Sequence, residues 1–144
     1  MNLNLGCGTN KLDDYINVDI DPQYEPEVVW DMRQTPWPWE DDTFDTIRAW
    51  HILEHIGPEY LDVMREIHRV GKAGAMVDVN VPYFMSEGAW RDPTHVRAFS
   101  LESFLYFDSR WPDYGADYGI RGLFRQEWAR LVKGSVVAEL QVVK

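Results

Sequence analysis

A chain of 144 residues carries one domain and one core; a second core would not fit. An apolar fraction of 45% with 14% aromatic residues excludes a disordered chain, and a formal charge of -10 makes a long basic track for nucleic acid unexpected. The single cysteine, Cys7, excludes an intramolecular disulfide, and no apolar run approaches the roughly 18 residues of a membrane span, so a soluble, cytoplasmic protein with no membrane partner is expected.

Residues 3–5 read as a first strand that runs into the turn Gly6-Cys7-Gly8. Residues 15–19 read as a second strand ending on Asp19, and residues 27–30 as a third. Residues 31–43 hold Pro36, Pro38, Glu40, Asp41 and Asp42, which makes them a loop. Residues 44–49 read as a fourth strand. Gly57-Pro58 then opens a helix whose buried stripe is Leu61, Met64 and Ile67. Residues 75–81 read as a fifth strand, and Ser100 is expected to cap a short helix beginning at Leu101. Residues 123–131 and 135–143 read as an antiparallel hairpin turning at Lys133-Gly134, with Val136, Ala138, Leu140 and Val142 facing inward.

The gap over residues 6–14 is short of the dozen or so residues that a parallel crossover usually needs, and the gap after the second strand is shorter still. One face of the sheet near its first three strands should therefore lack a helical cover. Trp30, Trp37 and Trp39 are candidates to fill the place, or a second subunit or partner protein.

A turn without side chains lets a ligand approach the backbone, and a carboxylate ending the next strand can grip a ribose diol. Gly6, Gly8 and Asp19 form that arrangement. Cys7 between them reads as a small packed residue rather than a nucleophile. The step from Gly8 to Asp19 is about half the roughly 20 residues of a dinucleotide fingerprint. His51 and His55 would share one face of a helix, but the order His-Ile-Leu-Glu-His is not His-Glu-x-x-His, so no metal is expected. Asp92, His95 and Arg97 fall in a loop that either serves the strand ends or is a turn closed by local bonds. Tyr83 either lines an acceptor site there or belongs to the core.

Several segments resemble class I S-adenosylmethionine-dependent methyltransferases, in a small, short-loop subgroup. Leu-Asn-Leu-Gly-Cys-Gly at 3–8 is similar to their first motif, Asn-Val-Asp-Ile-Asp-Pro at 17–22 to the second-strand motif, and Trp-Asp-Met at 30–32 to the third-strand end. Ala-Trp-His-Ile-Leu-Glu-His-Ile at 49–56 resembles the stretch after the fourth strand, and Asp92-Pro93-Thr94-His95-Val96-Arg97 a later segment. The resemblance implies a Rossmann-like sheet of order 3-2-1-4-5-7-6, mostly parallel with an antiparallel terminal hairpin, and with reduced helices on one face. It implies S-adenosylmethionine as cofactor and S-adenosylhomocysteine as product. Gly6, Cys7, Gly8, Asp19, Ile20, Asp31, Met32 and His51 would lie against that cofactor, with Asp19 on the ribose, Asp31 on the adenine amino group and Met32 on the ring. His51 and His95 are the candidate proton acceptors, and Tyr83, Asp92, His95 and Arg97 the candidate acceptor-binding residues. The expected function is methyl transfer to a small molecule, the alternative an inactive S-adenosylmethionine-binding or interaction module on the same scaffold. A departure from the family is that its first helix is missing over Thr9–Asp14.

Overall fold

Alternation along the strands sorts this sheet into an apolar and a polar face. In a computed structural model, which describes residues 1–111 and 116–144, seven strands form one sheet. They are β1 (Asn2–Leu5), β2 (Tyr15–Asp19), β3 (Val28–Val29), β4 (Phe44–Trp50), β5 (Gly71–Pro82), β6 (Phe124–Val132) and β7 (Ser135–Val142), in the order β3-β2-β1-β4-β5-β7-β6. The pairs from β3 to β5 are parallel, and β7 is antiparallel to both β5 and β6. This is the sheet expected from the sequence.

Two apolar rows cross the sheet in register. Leu3, Ile47, Val77 and Leu140 form one, and Leu5, Ala49, Val79 and Ala138 the other, all fully buried. Helix α1 (Tyr60–Val70) joins them in one core by burying Tyr60, Val63, Met64, Ile67 and Val70, spaced three and four apart. Leu61, assigned from the sequence to the middle of that stripe, lies at its half-buried border.

The opposite face carries the row Asn17, Asn4, Arg48, Asp78 and Glu139, again in register. Such a water-facing pattern suits antiparallel sheets better than parallel ones, whose strands are normally apolar on both faces. The short first connection explains it. Residues 6–14 form a loop, held down by the two buried asparagines rather than by apolar packing. Asn4 Nδ2 donates to the Asn10 carbonyl (3.0 Å) and to Asn17 Oδ1 (2.8 Å). Asn17 Nδ2 donates to the Leu12 carbonyl (3.0 Å), and the Leu12 amide returns to Asn17 Oδ1 (2.9 Å).

Trp30, Trp37 and Trp39 do not cover this face but pack in or against the apolar core, whereas Trp50 and Trp128 do lie on it, their indoles donating to Asp78 (2.9 Å) and Glu139 (3.0 Å). Trp37 and Trp39 belong to the apolar core, where the Trp37 amide donates to Glu66 of α1 (2.6 Å) and Trp39 meets Phe44 edge-on. The expected helix after Ser100 is also absent. Ser103 Oγ accepts the Ser100 amide (2.8 Å) and Ser100 Oγ the Glu102 amide (3.2 Å), and these side-chain bonds hold a turn in place of a helix. No helix among the described residues is long and apolar enough to cross a membrane.

Candidate functional site

The carboxyl ends of β1, β2, β4 and β5 meet at one edge of the sheet. Gly6 and Gly8 both take left-handed backbone angles, φ +62° and +47°. A β-carbon on Gly6 would stand 2.8 Å from Ile52 Cδ1, so this position excludes any side chain on two grounds. Gly6→Ala is accordingly expected to destabilise the fold by about 2 kcal/mol, read as a shift in urea midpoint, against about zero for Thr9→Ala on the exposed loop.

The turn is locked to the end of β2. The Cys7 amide donates to the Val18 carbonyl (2.9 Å), and the Gly8 amide donates to Asp19 Oδ2 (2.8 Å). Asp19 Oδ1 accepts the Asp21 amide (3.0 Å). The carboxylate is thus aimed by backbone donors at both oxygens, and each oxygen keeps a further lone pair. Cys7 is buried, and burial followed by the charge of Asp19 pushes its thiol pKa up, as suits a packed residue and not a nucleophile.

A cavity of about 260 Å³ opens beside this turn, walled by Asn4, Gly6, Cys7, Gly8, Asn10, Tyr24, Arg48, Trp50 and His51. It occupies the side of the sheet where the loop stands in for a helix. Arg48 lies on that wall with its guanidinium 3.7 Å from the Trp50 ring centre, and its buried Nε has no hydrogen-bond partner among the described residues. Sequence reading missed Arg48. Its signal was a cation toward the carboxyl end of a strand, between the apolar neighbours Ile47 and Ala49.

A larger cavity of about 620 Å³ adjoins it and shares His51. Pro82, Ser86 and Gly88 wall it on one side, Arg91, Asp92 and His95 on another, and Lys133 with Ser135 at the β6–β7 turn. Its size falls within the range usual for small-molecule sites. His51 sits at the junction with φ +53°, a left-handed angle that costs a non-glycine residue about 1 kcal/mol. Its amide is held by the Asn80 carbonyl (2.8 Å), and its Nδ1 faces Glu54 Oε1 at 3.3 Å. Residues 53–55 form a single 3-10 turn, so His51 and His55 do not share a helix as the sequence suggested.

Asp92 and His95 both reach the larger cavity, and the turn-like bonding also holds, since Asp92 Oδ1 accepts the Thr94 amide (2.8 Å) and hydroxyl (2.7 Å). Tyr83 and Arg97 do not line it. The Tyr83 ring packs on Phe84 and against the core. Arg97 lies over the Tyr60 ring at 4.0 Å and faces a different cavity near Pro58 and Tyr118. On the far side of Asp19, Ile20 is exposed, ready to offer an apolar surface. Asp31 is already engaged: Arg33 Nε and Nη2 bond its two oxygens, each at 2.9 Å, and that guanidinium holds its pKa below the ordinary carboxylate range. Met32 is buried in the core and its carbonyl accepts the Trp37 indole (2.9 Å), a position that leaves its side chain little surface for a ring.

The sequence profile of the methyltransferase domain family matches residues 3–77. No curated protein matches the chain in sequence. Among solved structures, the fold is similar to a SAM-dependent methyltransferase from Methanosarcina mazei at 14% identity, TM-score 0.70, covering 99% of this chain and 92% of that one. A SAM-dependent methyltransferase from Archaeoglobus fulgidus follows at 15% identity and TM-score 0.70, with 97% and 85% covered. The 1,6-didemethyltoxoflavin-N1-methyltransferase of Burkholderia thailandensis, solved with 1,6-didemethyltoxoflavin and S-adenosylhomocysteine, matches at 15% identity and TM-score 0.66, with 99% and 71% covered.

Proposed function

The chain belongs to the S-adenosylmethionine-dependent methyltransferase family, and we propose that it transfers the methyl group to a small polar molecule held in the cavity walled by His51, Arg91, Asp92 and Lys133. The observation that carries this reading is the pair of cavities meeting at His51, one beside the glycine turn and one beyond it. A donor in the first would present its methyl to an acceptor in the second.

The residues present suit the cofactor. Asp19, aimed by the Gly8 and Asp21 amides, offers free lone pairs to two ribose hydroxyls. Ile20 covers one face of the adenine. Arg48, with an unpartnered buried Nε on the wall of the smaller cavity, pairs with the carboxylate of the methionyl group. This last role answers for the missing first helix. Where the usual fold uses the start of that helix beside the cofactor's amino-acid end, this chain uses a side chain from β4.

The bound sulfonium supplies an already activated methyl, so the protein's task is chiefly to position two reactants in line. Arg91 and Lys133 give the larger cavity two cationic groups, which favours an acceptor carrying an anionic or strongly polar group. When the acceptor must lose a proton, His51 takes it at Nε2, because its Nδ1 hydrogen is turned to Glu54 Oε1. What supports His51 in this role is that, among the described residues, it lines both cavities.

Calorimetric titration with S-adenosylhomocysteine tests the cofactor half. One site per chain is the expected result, and absence of heat contradicts it. Arg48→Met should weaken that binding about tenfold while leaving adenosine affinity unchanged, since adenosine lacks the carboxylate. Equal losses for both ligands would remove Arg48 from the proposed role.

A further inference from the structure

We propose that Glu54, His55 and His95 bind a divalent transition-metal cation on the wall of the larger cavity. The sequence argued against a metal because the order His-Ile-Leu-Glu-His is not His-Glu-x-x-His, a motif that in any case needs a third ligand from elsewhere. The fold supplies one from a distant segment. The Val96 amide donates to the Glu54 carbonyl (2.9 Å), which clamps the 92–97 loop onto the 53–55 turn and brings His95 against His55, ring centres 4.7 Å apart. One ligand atom from each of Glu54, His55 and His95 then lies within 4.8 Å of the other two.

The hydrogen bonds around the two rings prepare them as ligands. Thr94 gives its hydroxyl hydrogen to Asp92 Oδ1 (2.7 Å), so at its contact with His55 Nδ1 (2.9 Å) the ring nitrogen donates. His95 Nδ1 faces the Ala89 carbonyl (3.3 Å), which can only accept. Both neutral imidazoles thereby carry hydrogen on Nδ1 and a lone pair on Nε2, the arrangement that outer hydrogen bonds impose on metal-binding histidines.

The groups facing that lone pair are acceptors too. His95 Nε2 stands 4.0 Å from Glu54 Oε1 and 3.8 Å from Asp92 Oδ2, beyond hydrogen-bond length. Glu54 is 1% exposed, and its buried Oε2 has no hydrogen-bond partner among the described residues. A buried carboxylate oxygen without a donor is costly, and a cation among these groups removes the cost. Ion-to-ligand distances near 2.1 Å require the three groups to draw together by about an ångström.

Two imidazoles and one carboxylate select a first-row transition ion over magnesium or calcium, which prefer oxygen alone. Three protein ligands leave a coordination position open, as in catalytic rather than structural sites. Of the three ligands His95 lines the larger cavity, so the ion would lie beside the place assigned to the acceptor. An acceptor with a metal-binding oxygen or nitrogen would then be held there. That use rests on the methyltransferase reading above; ion binding itself does not.

The test is titration of chelator-treated protein with Co2+ followed by visible absorption, and with Zn2+ by calorimetry. The expected result is one ion per chain with ligand-field bands that Zn2+ displaces. Glu54→Gln and His95→Gln should each lower affinity by about a hundredfold or more, and Thr94→Val by about tenfold through the orientation of His55. Thermal unfolding of each variant controls for folding. Absence of stoichiometric binding by the wild-type protein, or equal binding by the Glu54 and His95 variants, overturns the proposal. So does a His95 ring whose NMR signals ignore added metal. S-adenosylhomocysteine titration of the same samples separates a failure here from a failure of the cofactor reading.

Discussion

Asp19→Ala is expected to raise the dissociation constant for S-adenosylhomocysteine by about a hundredfold. Two hydrogen bonds from ribose hydroxyls to a carboxylate, at about 1.5 kcal/mol each, give about 3 kcal/mol, which is that factor. The variant also strips the acceptor from the Gly8 and Asp21 amides, so the glycine turn keeps only its Cys7–Val18 backbone bond to β2. Asp19→Asn separates the two effects in part, because its one amide oxygen can still accept the Gly8 amide, while the second backbone bond and the charge for the diol are lost. It should fall between the variant and the wild type. Calorimetry on all three proteins reads the result, and an Asp19→Ala protein that binds like the wild type would remove the ribose role.

Arg69→Met is expected to cost about 3 kcal/mol of stability. Arg69 gathers the loop before β4 onto α1. It donates to the Trp37 carbonyl (3.2 Å), the Trp39 carbonyl (2.8 Å) and Asp41 (2.8 Å), and it pairs with Glu66 at 2.7 Å. Glu66 is buried and also holds the Trp37 amide. Removing one member of a buried pair leaves the other charge uncompensated, which accounts for the size of the loss. At this chain length the loss corresponds to a fall of roughly 10 °C in midpoint temperature.

The pH dependence gives the prediction a signature. Burial pushes the Glu66 carboxyl up, but the Arg69 guanidinium and the Trp37 amide outweigh it, and its folded pKa lies below the ordinary 4.5. A depressed carboxylate stabilises the fold fully above the unfolded value, and this contribution is lost as pH falls through the folded one. Without Arg69, burial acts with less opposition and the folded value rises. The deficit of the variant should therefore be greatest near neutral pH and shrink on acidification toward about pH 4. Urea midpoints for both proteins across that range check it. A deficit that grows on acidification would contradict the assignment.

Much of the fold was legible because it is written in alternation. Leu3 and Leu5, Val77 and Val79, and the run from Val136 to Val142 mark buried faces with a period of two, and the structure pairs them as expected. The short gap after Gly8 correctly indicated a lost helix. What replaced the helix was not legible, since Asn4 and Asn17 read as ordinary strand polars until their register placed them side by side. Trp30, Trp37 and Trp39 misled because an apolar ring fits a bare sheet face and a core equally well, and their tertiary packing against the core decides between them.

The geometry of the glycine turn was more legible than that of the later segments. Gly6, Gly8 and Asp19 are close in sequence and linked by one hydrogen bond, so their spacing carries their geometry. Asp31, Tyr83 and Arg97 were named by their positions in a pattern, and their neighbours then engaged them: Arg33 with Asp31, Phe84 with Tyr83, Tyr60 with Arg97. The grouping of Glu54, His55 and His95 needed the hydrogen bond between Val96 and Glu54, a tertiary contact with no local signal.

A crystal structure of the protein with S-adenosylhomocysteine tests the central claim most directly. The account predicts the ribose hydroxyls on Asp19, the amino-acid carboxylate on Arg48 and the sulfur at the junction of the two cavities beside His51. A nucleoside bound elsewhere on the sheet, or a sulfur turned away from the cavity walled by Asp92 and His95, would contradict it.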